Sequence, residues 1–469
     1  MIFLKNNELL KIISYWLDKN RRVVLQYAII LAVLSASFLL APRIALGNRN
    51  PILLFLLFLA IGFFTIILRW PTLGLVLVMV GGMFIPFSWQ GGFNVSQLGL
   101  ATMLGVWFLD MLVVQRKFQI IQSRAVLPIL VFALISILSF CLGQFSWYPF
   151  ARNAPPTAQL GGLAINLLSV GAFLLVAHLI NDLRKLEFLT WTFIIFGSIY
   201  VFGRFIRLWS ITDLYQQGFS AGSLFWTWLV ALLAGQVIAN RDLKFAKRFL
   251  LGIILLITLY VAIVQAYDWK SGWFPSLIAV AVIIAIRYWR SIRYFAIFAV
   301  IPIYFIITAS IGQEDWSWGT RLDAWTIVLS IASVSPILGM GFANYYWYTP
   351  LFPIRGYYVR FNSHSQFVDL IAQTGLVGLT CFIWFFGEVG FLGLKLIKSA
   401  PEGFAKGYIY GALGGLAGTL VAAYLVDWVL PFVYNIGMTG FRASVLAWLF
   451  LGGVVSIEQI VRRQANSTS

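Results

Sequence analysis

The chain has only two histidines. His364 lies in the polar run FNSHSQF, close to Arg360, where an imidazole can accept a proton or donate a hydrogen bond near neutral pH. His178, in LVAHLIND near a helix end, reads as a structural histidine. Before His364 come Arg321, Arg355 and Arg360, interleaved with Tyr345, Tyr346, Trp347, Tyr348, Tyr357 and Tyr358. Arginine stays charged, and its planar fork meets phosphate or carboxylate oxygens two at a time. Flat aromatic faces suit sugar rings, although aromatics at a membrane surface more often form a belt, and the belt is the expectation for most of these. Asp369 follows His364 by five residues, about one and a half helical turns, and so can line the base of the same site. Asp323, Glu314 and Asp315 could hold a divalent cation. A local salt bridge for Asp323 and a solvated turn for the other two is the simpler reading, so neither metal nor cofactor is expected.

The elements that position these residues are set by composition. Of 469 residues, 61% are hydrophobic and 10% charged, whereas soluble chains carry roughly 45–50% and 25%. So few charges cannot cover a water-soluble surface, which excludes a cytosolic enzyme, a disordered chain and a disulfide scaffold. At about 20 apolar residues per crossing, the expected fold is all-α: a polytopic transmembrane helical bundle of about 14 spans (range 12–14). The expected spans are 22–42, 51–69, 71–87, 97–115, 126–144, 159–181, 187–203, 221–239, 249–266, 273–287, 293–310, 366–393, 407–427 and 441–460. Residues 1–21 read as a cytoplasmic amphipathic segment without a small-residue cleavage site, and 461–469 as a cytoplasmic tail. Cys141 and Cys381 sit in apolar runs and read as small core hydrophobes.

Charge orients the bundle. With both termini cytoplasmic, alternate connections collect Arg116, Lys117, Arg124, Arg184, Lys185, Arg241, Lys244, Lys247, Arg248, Arg287, Arg290, Arg293, Lys395, Lys398 and Lys406 on the inner side, as the positive-inside rule requires. The net charge of +17 therefore belongs to membrane topology and no nucleic-acid partner is expected. Ten of the 33 basic residues remain outside: Arg43, Arg49, Arg152, Arg204, Arg207, Lys270, Arg321, Arg355, Arg360 and Arg442. Nine are arginine, which points to anion recognition more than to charge balance. The one long connection, 311–365, is expected on the periplasmic side. Within it 321–335 reads as an amphipathic helix with Leu322, Trp325, Val328, Leu329 and Ala332 on its apolar face, Ile327 and Ile331 off it, and Pro336 at its end. Gly339 and Gly341 then permit a tight turn.

The order RLDAW (321–325), PILGMG (336–341), SHSQF (363–367) and AQTGLVG (372–378) resembles the O-antigen ligase and polymerase family, with a ligase-like core over about 190–395. Ser365 stands where that family commonly has Asn after the histidine. The resemblance implies a metal-independent glycosyltransferase of the bacterial inner membrane. Such an enzyme moves glycan from a polyprenyl-diphosphate-linked donor to a hydroxyl of a glycan or lipid acceptor. It also implies His364 as catalytic residue and Arg321 as the donor diphosphate's partner, with a further arginine from an earlier outer loop, Arg204 or Arg207. Arg360, Arg355, Tyr358 and Asp369 complete the expected substrate-binding set. Ligase, polymerase and protein glycosyltransferase remain equally open on these residues. A membrane transporter of an anion or lipid-linked glycan is the competing class, but matching halves with interrupted helices are not visible; a non-enzymatic assembly subunit is the third.

Overall fold

A computed structural model of the chain describes residues 61–64, 66–88, 92–117, 119–266, 268–289 and 319–468, together with residues 20, 23 and 26. The expected spans 22–42 and 293–310, most of 51–69, and Glu314 and Asp315 lie outside the described residues. The described residues are helical, with two isolated bridges, Ser88–Asn94 and Ile354–Tyr357. In chain order the helices are α1 (Pro71–Phe84), α2 (Val95–Leu109), α3 (Val126–Leu142), α4 (Pro156–Leu179), α5 (Leu183–Phe205), α6 (Ser223–Ala239), α7 (Phe245–Tyr260) and α8 (Lys270–Arg287). Then come α9 (319–332), α10 (Asn344–Tyr348), α11 (Gln366–Ser399), α12 (Phe404–Leu425) and α13 (Phe441–Thr468). Among the described residues eight helices are long and apolar enough to cross a membrane, and three shorter apolar ones, α1, α3 and α6, accompany them. Among the described residues the chain is all-helical, with the long apolar helices of a membrane protein.

It divides into two compact units, residues 1–77 with 99–121, and residues 78–98 with 122–469. In the first, Ile67 and Met103 close on Gly74 of α1, and Asp110 accepts a hydrogen bond from Gln115 at 2.6 Å.

In the second unit α6 and the apolar stretch of α13 are buried over most of their length, as central helices must be. α7 leaves much of its apolar surface exposed, the pattern of a lipid-facing helix. α6 and α8 pack against α12 through a stripe of small residues. A Cβ on Gly411 would stand 2.9 Å from the Ala231 carbonyl oxygen, and one on Gly418 2.6 Å from that of Pro275. Backbones approach so closely only where side chains are missing, the usual way helices associate when lipid offers no hydrophobic drive.

The connections of this unit sort to two ends. At one, Asn94 Nδ2 donates to Met438 O (2.8 Å), Gln216 N to Met83 O (2.7 Å), Asn344 Nδ2 to Gly143 O (2.8 Å) and Tyr348 OH to Asn153 Oδ1 (2.5 Å). Segments 84–98, 143–155, 205–222, 319–365 and 426–440 therefore gather together. At the other end Arg462 donates to Gln122 O, Arg124 pairs with Glu388 at 3.5 Å, and Gly403 lies against Asp242. Glu388 pairs with Arg124 and accepts from the Trp384 indole.

Arg442 corrects the reading of the arginine set. It is buried and donates to the carbonyls of Gly82, Ile85 and Phe87 at 2.9–3.0 Å, satisfying backbone acceptors at the end of α1 that would otherwise be unpaired. Its fork is structural.

Candidate functional site

Three segments converge at the loop-rich end of the second unit. The first is α9, with Arg321 in its opening turn. Its buried stripe is Ala324, Val328, Ile331 and Ala332, while Leu322 and Leu329 are exposed. The helix is thus rotated from the expected face, because a core of α10, α11 and the 145–154 segment covers Ile331 as well as Val328. It ends at Ala332, and Ser335 Oγ donates to Gly339 O to close the following turn.

The second segment is the turn into α11. His364 has φ of 51°, one of five non-glycine residues among those described in the left-handed region, which costs a residue bearing a Cβ on the order of 1–2 kcal/mol. Such strain persists only where neighbours over-determine it, and here they do. Trp325 Nε1 donates to Ser363 O at 2.7 Å, Ser363 Oγ donates to Asp369 Oδ1 at 2.7 Å and accepts from Ser365 N, and Tyr345 OH donates to the same Asp369 oxygen at 2.5 Å.

PILGMG and AQTGLVG explain one another. α11 is kinked at Gly375 (φ 71°, ψ −175°), and the 336–341 turn lies across the kink. Met340 N and Gly341 N donate to Ala372 O and Gln373 O, and Leu376 N and Val377 N donate to Pro336 O and Ile337 O. Ser139 of α3 also donates to Gln373 O. These bonds absorb the backbone groups that a kink leaves unpaired and fix α9 against the start of α11.

The third segment, 426–437, was not singled out from sequence. Arg321 Nη1 donates to Leu425 O at 3.1 Å, so the α9 cation sits at the C-terminal end of α12, where the helix dipole favours positive charge. Asp427 follows and is buried; its Oδ2 accepts from Phe432 N (2.8 Å) and its Oδ1 from Asn435 Nδ2 (2.5 Å). Asn435 Nδ2 also lies 3.4 Å from His364 Nδ1, and Leu430 N donates to Gln366 Oε1. The available signal was Asp427 itself, a carboxylate closing an apolar run (LVDWVL) just before Pro431.

Electrostatics follow from this packing. Burial, and then the positive charge of Arg321, push the His364 imidazole below its ordinary value, so the ring is neutral at neutral pH. Burial pushes the Asp427 carboxyl up to about 6, against the hydrogen bonds from Phe432 N and Asn435 that favour its charged form.

The remaining expected residues divide. Arg360 lies flat on the Trp347 ring, 3.7 Å from its centroid. Trp347 Nε1 donates to Tyr434 OH at 3.0 Å, and Tyr346 stacks on Tyr434 with centroids 4.6 Å apart. Since Tyr434 precedes Asn435, a strip of cation and aromatic faces leads to His364. Arg355 pairs with Asp323 at 2.7 Å, the local salt bridge expected for Asp323, and this ties the 354–357 turn to α9. Tyr357 and Tyr358 are exposed beside that turn. Tyr345 and Tyr348 are fully buried, so for these two the belt expectation is corrected: their hydroxyls serve Asp369 and Asn153 within a protein core. Asp369 is 0% exposed and supports the His364 turn from beneath; a direct reach to substrate gives way to that role. Arg204 lies over the Trp209 ring at 5.2 Å, and Arg207 takes a left-handed conformation (φ 58°) at the end of α5. Among the described residues no hydrogen bond, ion pair or ring contact joins either to Arg321 or His364. His178 Nδ1 meets Leu174 O at 2.8 Å, in keeping with a structural role.

No curated protein matches the chain. Residues 243–383 match the family model described as O-Antigen ligase, a shorter stretch than the 190–395 core expected from the motifs. This supports a membrane glycan-processing function of the ligase or polymerase type. The matched stretch holds Arg321, the PILGMG turn, His364 and the Gly375 kink, and over it the chain is similar to the O-antigen ligase family.

Proposed function

We propose that the chain is a metal-independent glycosyltransferase of the bacterial inner membrane, with both termini cytoplasmic. It takes a glycan from a polyprenyl-diphosphate carrier and joins it to an acceptor hydroxyl, on a glycan or a lipid, at the outer face. The observation that carries this reading is the convergence of Arg321 and His364, with Arg321 near enough to depress the imidazole's proton affinity, inside the stretch that matches the ligase family.

The donor brings its own leaving group. The acceptor oxygen forms a bond to the anomeric carbon, the carbon–oxygen bond to the diphosphate breaks, and its electron pair departs with the diphosphate. Charge therefore grows on the diphosphate, and in this reading Arg321 takes it, helped by Arg360 and by Arg204 or Arg207 from the 204–209 turn. A pre-placed donor of this kind is worth about 2.7–4 kcal/mol, roughly 100- to 1000-fold in rate. His364 addresses the reacting oxygens. Arg355 and Tyr358 lie further out along the acceptor or donor glycan, on the turn held by Asp323.

Proteoliposomes holding the full-length chain and a lipid-linked glycan test this. Lengthening or relocation of the glycan, lost in His364→Ala, is expected. Glycan flux across the vesicle wall without covalent change would replace the transferase by a transporter.

A further inference from the structure

An imidazole has two nitrogens, and the packing around His364 decides what each can do. Asn435 Nδ2 stands 2.5 Å from Asp427 Oδ1 and 3.4 Å from His364 Nδ1. A carboxylate oxygen accepts hydrogen bonds, so the end of the Asn435 amide that faces Asp427 must be its NH2 group. That group has two hydrogens. One goes to Asp427, and the other is turned to His364 Nδ1. Nδ1 is therefore an acceptor that keeps its lone pair, and in the neutral ring the single hydrogen resides on Nε2. Among the described residues Nε2 makes no hydrogen bond, which leaves its N–H for a substrate.

Building on the transferase reading above, we infer that Asn435, aimed by Asp427, is a positioning residue that makes His364 a hydrogen-bond donor through Nε2 and not a general base. An N–H at this place binds an oxygen rich in electrons: the glycosidic oxygen that leaves with the diphosphate, or one of the diphosphate's own oxygens. Transfer still balances. As the new carbon–oxygen bond forms and the old one breaks, the acceptor's hydroxyl proton passes to an oxygen of the departing diphosphate. The titratable and charged groups on the neighbouring elements are Arg321 on α9, Tyr345 on α10, Asp369 on α11, Asp427 and Tyr434 on the 426–437 segment, and Arg360 at the rim, and of these it is Arg321 whose charge acts on the ring. Arg321 opposes a second proton on the ring, and Asp427 is already engaged by Phe432 N and Asn435.

With only two histidines, the ring can be read directly. Full-length protein labelled with 15N-histidine in phospholipid nanodiscs is examined by nitrogen NMR near pH 7.5, His364 being assigned by its loss in His364→Gln. The expected spectrum shows a bare, pyridine-type Nδ1 and a protonated, pyrrole-type Nε2. In Asn435→Asp a carboxylate faces Nδ1 and draws the hydrogen to it, so the tautomer reverses. The same variant should lower kcat for glycan transfer about 10- to 100-fold with little change in donor KM, since the ring stays in place with its donor on the wrong side. A protonated Nδ1 in the native protein, or an even mixture of tautomers, overturns the inference. So does a reversed tautomer in Asn435→Asp with undiminished transfer. The expected tautomer in a protein that transfers no glycan would sink the transferase reading alone, because the spectrum is read without turnover.

Discussion

Replacing Gly375 by alanine isolates the joint that fixes Arg321 relative to His364. Gly375 has φ 71° and ψ −175°, a region occupied essentially by glycine alone, and forcing alanine there costs about 1–3 kcal/mol. The new Cβ would also stand 2.1 Å from the Ile337 carbonyl oxygen and 2.3 Å from its carbon, backbone atoms that cannot turn aside. Relief requires lifting the 336–341 turn off α11. That strains four backbone hydrogen bonds, to Ala372 and Gln373 from Met340 and Gly341, and to Pro336 and Ile337 from Leu376 and Val377. At about 0.5–1.5 kcal/mol each, losing two adds about 1–3 kcal/mol. The sum of about 2–6 kcal/mol is below the unfolding free energy of many domains, about 5–15 kcal/mol, so the protein should fold with the joint displaced. A displacement of about 1 Å at reacting groups costs on the order of 100-fold in rate. The assay is the initial rate of glycan transfer per mole of monodisperse protein in proteoliposomes, with the thermal midpoint measured in parallel. Gly390→Ala on the same helix is the control, since its Cβ would meet nothing nearer than Leu416 at 3.9 Å and should leave both readouts unchanged. A Gly375→Ala protein with wild-type rate and thermal midpoint would refute the reasoning that this crossing aligns the site.

Arg321→Ala should lose roughly 100- to 1000-fold in transfer rate, while Arg321→Lys should recover only part of it because charge returns without the planar fork; equal rates for the two variants would argue against paired contacts to a diphosphate. The pH profile should fall on its acid side. Asp427, raised to about 6 by burial, gains a proton there and weakens its hold on Asn435; a rate unchanged from about pH 7.5 down to about pH 5 would contradict that effect. Treatment with a chelator should leave the rate unaltered, and Asp323→Ala should shift stability by no more than about 1 kcal/mol, the scale of an exposed ion pair. Chelation that abolished transfer, restored by magnesium or manganese, would make Asp323 a metal ligand instead.

Much of this architecture was legible because its causes are local. Apolar runs of about 20 residues identify membrane helices whatever their neighbours do, and the sorting of connections to two ends follows from the alternation of those runs and their basic flanks. The pairing of PILGMG with the glycine eleven residues after His364 was visible as motif order, but its reason was not: two backbones cross, and a Cβ at Gly339 or Gly375 would meet carbonyl atoms of the other strand.

The sequence alone established a helical membrane protein with arginines and one histidine concentrated before α11, since hydropathy, charge bias and residue chemistry are properties of short stretches. Packing alone decided what each arginine meets. Arg442 and Arg321 carry the same charge, yet one is consumed by carbonyls 355–360 positions away and the other bonds the Leu425 carbonyl and lowers the proton affinity of His364. Packing also brought Asn435 to His364 across 71 positions and turned Ile331 inward. Such pairings depend on how helices cross, and the interval between two residues in the chain carries no information about that.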